Sequence, residues 1–276
     1  MIDDHFEGEP SSHWIRWLQG AGRLEPGNST IRLVTQDARA GEYSDAQLDD
    51  YHLNSAESGN LSGLKRRWLW HPPVWMQVRA RASGASLVGT AGFGFWNDPF
   101  TLSGRVTALP EAVWFFYASQ PSDLALVPGV PSWGWKAAVV HAARADAVML
   151  GVPTAAAVLW ARLTGRTQTA ARWVQHTSGA HEAPLQLDWT AWHTFELGWQ
   201  HDAATFSVDG EQILHAPNPP HGRLGFVTWV DNQFAVATPR GDFRFGTLDA
   251  PGRQWLELDQ IQIRANNEPS KEQEGR

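Results

Sequence analysis

The chain has no cysteine. Disulfide stapling, thiolate catalysis and thiolate metal sites are therefore excluded. No apolar run approaches the ~20 residues a membrane-spanning helix needs, so no membrane span is expected. Basic charge is scarce: 22 Lys and Arg stand against 29 Asp and Glu, a formal net charge of −7. That balance leaves no electrostatic footprint for nucleic acid or an anionic membrane, and no nucleic-acid partner is expected. The one basic cluster, Lys65-Arg66-Arg67, is short enough to be a solvated loop. The opening MIDDHFEGEP is acidic and lacks an apolar core. It does not read as a secretory leader, so a cytoplasmic location is expected, or a secreted one if a leader has been removed. Eleven His are present but none at HxH or HExxH spacing, and no zinc site is expected. No Gly-rich phosphate loop joins a strand to a helix, and no Ser occupies a nucleophile elbow.

Tryptophan is abundant, at 16 in 276 residues. In a β-rich chain such an excess either fills a core or offers flat surfaces on which sugar rings stack, and the sequence leaves both open for each indole. Strand patterning is clear. Phe195, Leu197 and Trp199 alternate with Thr194, Glu196 and Gly198, a period of two. Asp209-Gly210, between apolar runs, predicts a hairpin, because both turn positions need positive φ. Val74, Met76, Val78 and Ala80 alternate with Trp75, Gln77, Arg79 and Arg81. Ala112 to Ala118 (AVWFFYA) is apolar throughout, as in a strand covered on both sides. GTAGFGF is a Gly-rich strand leading into Trp96-Asn97-Asp98. Residues 119–135 form a long loop carrying Trp133 and Trp135, of the kind that rims functional sites. Residues 144–178 are Ala-rich with helical spacing, and predict one or two helices inserted between strands. The polar tail 266–276 is expected to be disordered. Many short strands with Gly/Pro turns predict an all-β jelly-roll sandwich of two antiparallel sheets, one domain over 1–265.

Four stretches resemble the concanavalin A-like jelly rolls, and within them the laminarinase-like family 16 glycoside hydrolases. His193 to Trp199 resembles that family's FHTYxxxW strand, and Phe206-Ser207-Val208-Asp209-Gly210 its FYVDG hairpin. Leu258 to Ile263 resembles its closing VDYVRVY strand, and Asp4-His5-Phe6-Glu7-Gly8 its opening DEFNG. The family's signature is Glu-x-Asp-x-x-Glu or Glu-x-Asp-x-Glu on one strand. Alternate residues there face one cleft, and retention needs carboxyls about 5 to 5.5 Å apart. The strand that should carry it here is AVWFFYA. It has no carboxylate between Ala112 and Ser119, and Trp114 and Phe116 stand where acids are expected. No catalytic residue carries over, and family 16 hydrolysis is not expected. The resemblance implies a structural calcium held by Glu7, the Gly8 carbonyl and Asp259. No other cofactor is required.

What the resemblance leaves is a concave groove. Gly94, Trp96 and Asp98 share one strand face, and so do Val227, Trp229, Asp231 and Gln233. Tyr43, Asp45 and Gln47 alternate and are further candidates for its lining. The candidate ligand-binding residues are Trp96, Asn97, Trp114, Phe116, Trp133, Trp135, Trp229, Asn232 and Gln233. Asp98 and Asp231, beside indoles, are the candidate acid and base, since an apolar wall separates two carboxyl pKa values. The plain readings are an Asx turn before Pro99, and a strand end at Asp231-Asn232 whose side chains satisfy backbone donors. Three functions remain open. One is a Trp-lined site for a glycan or other small molecule without family 16 hydrolysis. Another is a diverged enzyme using Asp98 and Asp231 on a sugar or apolar substrate under a helical lid. The third is a structural or partner-binding sandwich. The sequence leaves the oligomeric state open.

Overall fold

The computed structural model describes residues 1–8, 10–52, 66–98, 110–123, 127, 129–141, 179–237 and 243–265. The predicted helical insertion at 144–178 and the predicted tail at 266–276 lie outside the described residues. Every described element is a β-strand.

Two antiparallel sheets make the sandwich. The first runs β13 (Glu211–Pro217), β12 (Ala203–Val208), β11 (His193–Trp199), β6 (Val74–Ala82), β17 (Ala250–Ala265), β4 (Ile31–Ala38), β3 (Gly22–Pro26). An eighth strand, β1 (Ile2–Asp4), pairs with β17, so the opening and closing segments meet. The second sheet has seven strands, ordered β10 (His181–Pro184), β9 (Gly134–His141), β8 (Glu111–Ala118), β7 (Thr90–Trp96), β14 (Gly225–Asp231), β5 (Asp45–Asp49), β2 (Ile15–Gln19). A two-stranded ribbon, β15 (Gln233–Ala237) with β16 (Phe243–Thr247), stands apart.

Period-two patterning builds the core. On β6, Val74, Met76, Val78, Ala80 and Ala82 are buried and the residues between them half-buried. They meet Phe195, Leu197 and Trp199 of β11, and Phe93, Phe95, Val113 and Phe115 from the other sheet, in one apolar cluster. The Asp209-Gly210 turn has φ of 51° and 83°, the doubly positive turn its sequence predicts. The seven-stranded sheet is buried on its other face too. A second, separate cluster of Tyr51, Phe116, Ala118, Val227 and Trp229, with Trp68, Trp96 and Trp114 against it, covers that outer face. This is why AVWFFYA is apolar at every position.

One placement is corrected. Trp135 is not on a rim. It is the second residue of β9, pairs with Tyr117, and is turned into the sandwich, where it stacks on Trp189 at 3.6 Å. Trp133, two residues earlier, does stay at the surface, 49% exposed.

Candidate ligand-binding face

The outer face of the seven-stranded sheet is assembled by register. Trp229 on β14 lies beside Gly92 on β7, which lies beside Phe116 on β8. Val227 lies beside Gly94, and Gly94 beside Trp114. The glycines are what let the indoles lie flat across β7. A Cβ on Gly92 would come within 3.0 Å of Trp229 Cη2, and one on Gly94 within 2.5 Å of Trp114 Cα. The resulting shelf is continuous. Ring centroids are 5.7 Å apart for Trp96–Trp114, 5.3 Å for Trp114–Trp229 and 5.2 Å for Trp114–Phe116. Trp96 and Trp229 are nearly coplanar in orientation, at 10°. Two indole N–H groups are tied down: Trp96 donates to the Tyr51 hydroxyl and Trp229 to Thr90 Oγ1.

Carboxyls border the shelf. Asp231 and Asp45 are direct cross-strand partners on β14 and β5. Asp231 Oδ1 accepts bonds from Thr90 N, Thr90 Oγ1 and Gln233 N. Burial still outweighs those donors and pushes Asp231 up to about 6. Asp45 is pushed well above the usual carboxylate range, first by burial and then by the charge of Asp231. The Tyr43 hydroxyl donates to it, while its Oδ1 has no partner. Further along β5, Asp49 accepts from Gln47 Nε2 and from the backbone N of Tyr51 and His52. Its Oδ2 meets His52 Nδ1 at 2.8 Å. Asp98, in a left-handed conformation that Asp tolerates, is held by Arg66 Nη2 at 2.5 Å.

The structure therefore regroups the expected residues. Trp96, Trp114, Phe116 and Trp229 come together as read, with Asp231 at their margin. Asp98 and Asp231 do not pair: Asp231 faces Thr90 at one end of β7, and Asp98 follows the other end. Each has a different partner, Arg66 for Asp98 and Asp45 for Asp231. Asn97 is a local brace, its Oδ1 accepting from Glu111 N. Asn232 is a clamp rather than a ligand group. It is fully buried, donates from Nδ2 to the carbonyls of Arg39, Glu42 and Leu248, and accepts Ser44 N. Gln233 falls outside the sheet, because the chain leaves at Asn232 to begin β15. The plain reading of Asp231-Asn232, a strand end whose side chains accept from backbone donors, describes both residues: Asp231 accepts from Thr90 N and Gln233 N, and Asn232 from Ser44 N.

The calcium set does not fit. Glu7 and Asp259 line one open hollow of about 260 Å³ with His5, Ser29, Arg79 and Gln260. The Asp259 carboxylate already accepts Arg79 Nη1, so a guanidinium fills the cation's role. Calcium needs six or more oxygens. Among the described residues no group of three His, Asp or Glu side chains is arranged for a metal.

Residues missed at the sequence level are Asp49, Tyr51, His52, Arg66, Thr90, Trp17 and Trp68. One signal was available: Asp45-x-Gln47-x-Asp49 is polar at every second position, the mark of a strand with a polar face.

No protein-family model matches the chain, and no curated protein matches its sequence. By structure it is similar to the immunostimulatory antigen and pseudo β-1,3-glucanase of Mycobacterium tuberculosis, with TM-score 0.53, 10% identity, and 97% of this chain and 99% of that one covered. A structure described with endo-acting O-glycanases that human gut microbiota express to initiate mucin breakdown gives TM-score 0.53 at 11% identity, covering 97% and 99%. A prokaryotic β-1,3-1,4-glucanase (lichenase) from a mouse hindgut metagenome gives 0.50 at 12%, covering 94% and 96%. At such identities the likeness shows the fold alone, a jelly-roll sandwich.

Proposed function

We propose that the outer face of the seven-stranded sheet binds carbohydrate. The observation that carries this is the shelf of Trp96, Trp114, Phe116 and Trp229, which lies outside the shared core and is bordered by hydrogen-bonding carboxyls. Indole faces stack on the apolar faces of sugar rings, and acceptors beside them bond hydroxyls. The names of the structural neighbours, which concern glucans and glycans, support the same class of ligand. Family 16 chemistry is not part of this reading, because β8 offers Trp114 and Phe116 where that family places acids. The test is a glycan array followed by tryptophan-fluorescence titration of the best hits. Binding that is lost in Trp114→Ala supports the proposal, and an array without hits refutes it.

One observation favours a second reading, a diverged enzyme. Asp45 and Asp231 face each other with unequal surroundings, three donors on one and an unpartnered oxygen on the other. Environments that push two carboxyl pKa values apart define acid and base roles. Reducing sugar released from laminarin or lichenan, and abolished by Asp231→Asn, would select this reading over pure binding.

A further inference from the structure

Beyond the aromatic shelf, a buried imidazole on this face has one ring nitrogen with no hydrogen-bond partner among the described residues. His52 is 4% exposed, and its Nε2 has no hydrogen-bond partner. The ring is fixed on both sides. Trp17 stacks on it at 5.0 Å and 18°, and the Tyr51 ring lies 4.5 Å away. Its other nitrogen, Nδ1, meets Asp49 Oδ2 at 2.8 Å. Asp49 also accepts from Gln47 and from two backbone amides, so it is used throughout as an acceptor. Nδ1 must then carry the hydrogen, and in the neutral ring Nε2 is a bare lone pair. A second acceptor, Asp98 Oδ2, lies 3.8 Å from Nε2. That is too long for a hydrogen bond.

We propose that His52, oriented by Asp49, is a subsite that accepts a hydrogen bond from a hydroxyl of a neutral sugar. The inference rests on the reading that this face binds carbohydrate, and adds which polar group reads the ligand and what charge class it has. A hydroxyl is the donor that a lone pair beside a carboxylate recognises. Asp45, Asp49, Asp98 and Asp231 share this face with Arg66, which is committed to Asp98. The field of that set disfavours an anionic sugar such as a uronate or a sulfated unit. Burying an acceptor without a partner carries a desolvation penalty, which a ligand hydroxyl relieves.

The experiment is imidazole nitrogen NMR on the full chain at neutral pH. Free protein is expected to show His52 as the tautomer with hydrogen on Nδ1 and none on Nε2. The probes are soluble neutral hexasaccharides of β-1,3-linked glucose, β-1,4-linked glucose and β-linked galactose, with a hyaluronan hexasaccharide as the anionic counterpart. A neutral probe that binds should shift His52 Nε2 and change tryptophan fluorescence at the same concentrations, and hyaluronan should do neither. In His52→Asn, the amide N–H can keep the bond to Asp49 while the distal acceptor is gone. That variant should bind the same probe about tenfold more weakly, the loss of one hydrogen bond. A hydrogen found on Nε2 in the free protein would overturn the subsite directly, whatever the variant does. Fluorescence that responds while Nε2 and the His52→Asn affinity stay unchanged would overturn the subsite and leave the sugar-binding face standing. Silence in both signals with every probe would overturn the face itself and the subsite with it.

Discussion

On the outer face of the eight-stranded sheet Trp75, Trp255 and Trp192, the residue before β11, lie against arginines, whereas on the seven-stranded sheet Trp96, Trp114 and Trp229 lie against one another. Arg264 lies 4.3 Å over Trp75, Arg79 and Arg81 lie 4.9 and 4.7 Å from Trp192, and Arg32 lies 4.9 Å from Trp255. The carboxylates between them are matched to the same cations. Glu257, with a side chain 3% exposed, meets Arg32 Nε at 3.0 Å and Arg81 Nε at 2.7 Å. Asp259 has Arg79 and Glu25 has Arg253. On the seven-stranded sheet Asp45 and Asp231 are buried with neutral donors only. One face has its indole π-surfaces covered and its charges balanced, and so is complete as it stands. The other packs its indoles against one another, with Trp229 7% and Phe116 9% exposed, and holds an unbalanced set of buried acids, an arrangement that stability alone does not favour. An excess of tryptophan therefore does not by itself distinguish the two faces, but the partners of the tryptophans do.

The seven-stranded sheet also holds a buried ion pair, and it gives the largest expected effect. Lys136 Nζ meets Glu182 Oε1 at 3.0 Å with both side chains 2% exposed, joining β9 to β10. Lys136→Ala leaves Glu182 buried without its cation, which should cost about 3–5 kcal/mol in denaturant unfolding. A loss under about 1 kcal/mol would mean that this sheet does not depend on ion pairing even where it has it.

The second effect is on pH. Burial holds Asp231 at about 6 and Asp50, which accepts Trp70 Nε1 and Phe226 N, at about 7. Both stand above the ~4 of an unfolded aspartate. Between about pH 4 and 7 the folded chain binds more protons than the unfolded one, so stability falls as pH rises through that window. At 1.36 kcal/mol per pKa unit, Asp231 alone accounts for about 3 kcal/mol. Chemical unfolding from pH 4 to 8 should show the decline, and Asp231→Asn should flatten its lower part. A flat profile in the native chain would erase the electrostatic contrast between the faces.

The third effect compares indoles directly. Trp114→Ala should weaken glycan binding by about 1–3 kcal/mol. Trp255→Ala, on the opposite face, should leave affinity unchanged while lowering the melting temperature slightly. Equal losses of affinity in both variants would break the distinction drawn here.

How much of this was legible depended on how local the signal was. The Asp209-Gly210 turn and the alternation in β6 and β11 are settled within a few residues, and the chain displays them directly. Period-two reading also placed Trp96, Trp114 and Trp229 on one face. It failed where a strand ends. Counting on from Asp231 put Gln233 on the same face, but Asn232 is pulled away by three carbonyls from distant loops. The 119–135 loop expected from sequence runs two residues into β9, which begins at Gly134, and such a shift of strand boundary decides whether an indole faces core or solvent. The Asp49–His52 contact spans a turn just beyond β5, where no fixed period applies. The balancing of charge on the eight-stranded sheet was invisible, since Arg81 and Glu257 are 176 residues apart in sequence. Gly92 and Gly94 carried a readable clue, alternate glycines in a strand marking close approach of another group.

The smallest effect tests whether the arginine–tryptophan contacts of the eight-stranded sheet are only cover. Arg264 is exposed, near the end of β17, and its guanidinium lies over Trp75. An exposed cation–π contact is worth about 0.5–1 kcal/mol. Arg264→Gln removes the cation but keeps a side chain long enough to lie across the ring. Chemical unfolding should therefore register a loss near the lower end of that range, and part of it should vanish in high salt, which already weakens the native contact. Sugar affinity, measured on the same preparation, should not change, because Trp75 and the shelf around Trp114 lie on opposite sheets. A clear drop in affinity with unchanged stability would be the opposite pattern. It would show that the arginine-covered face also contacts ligand, and that covered indoles are not thereby withdrawn from binding.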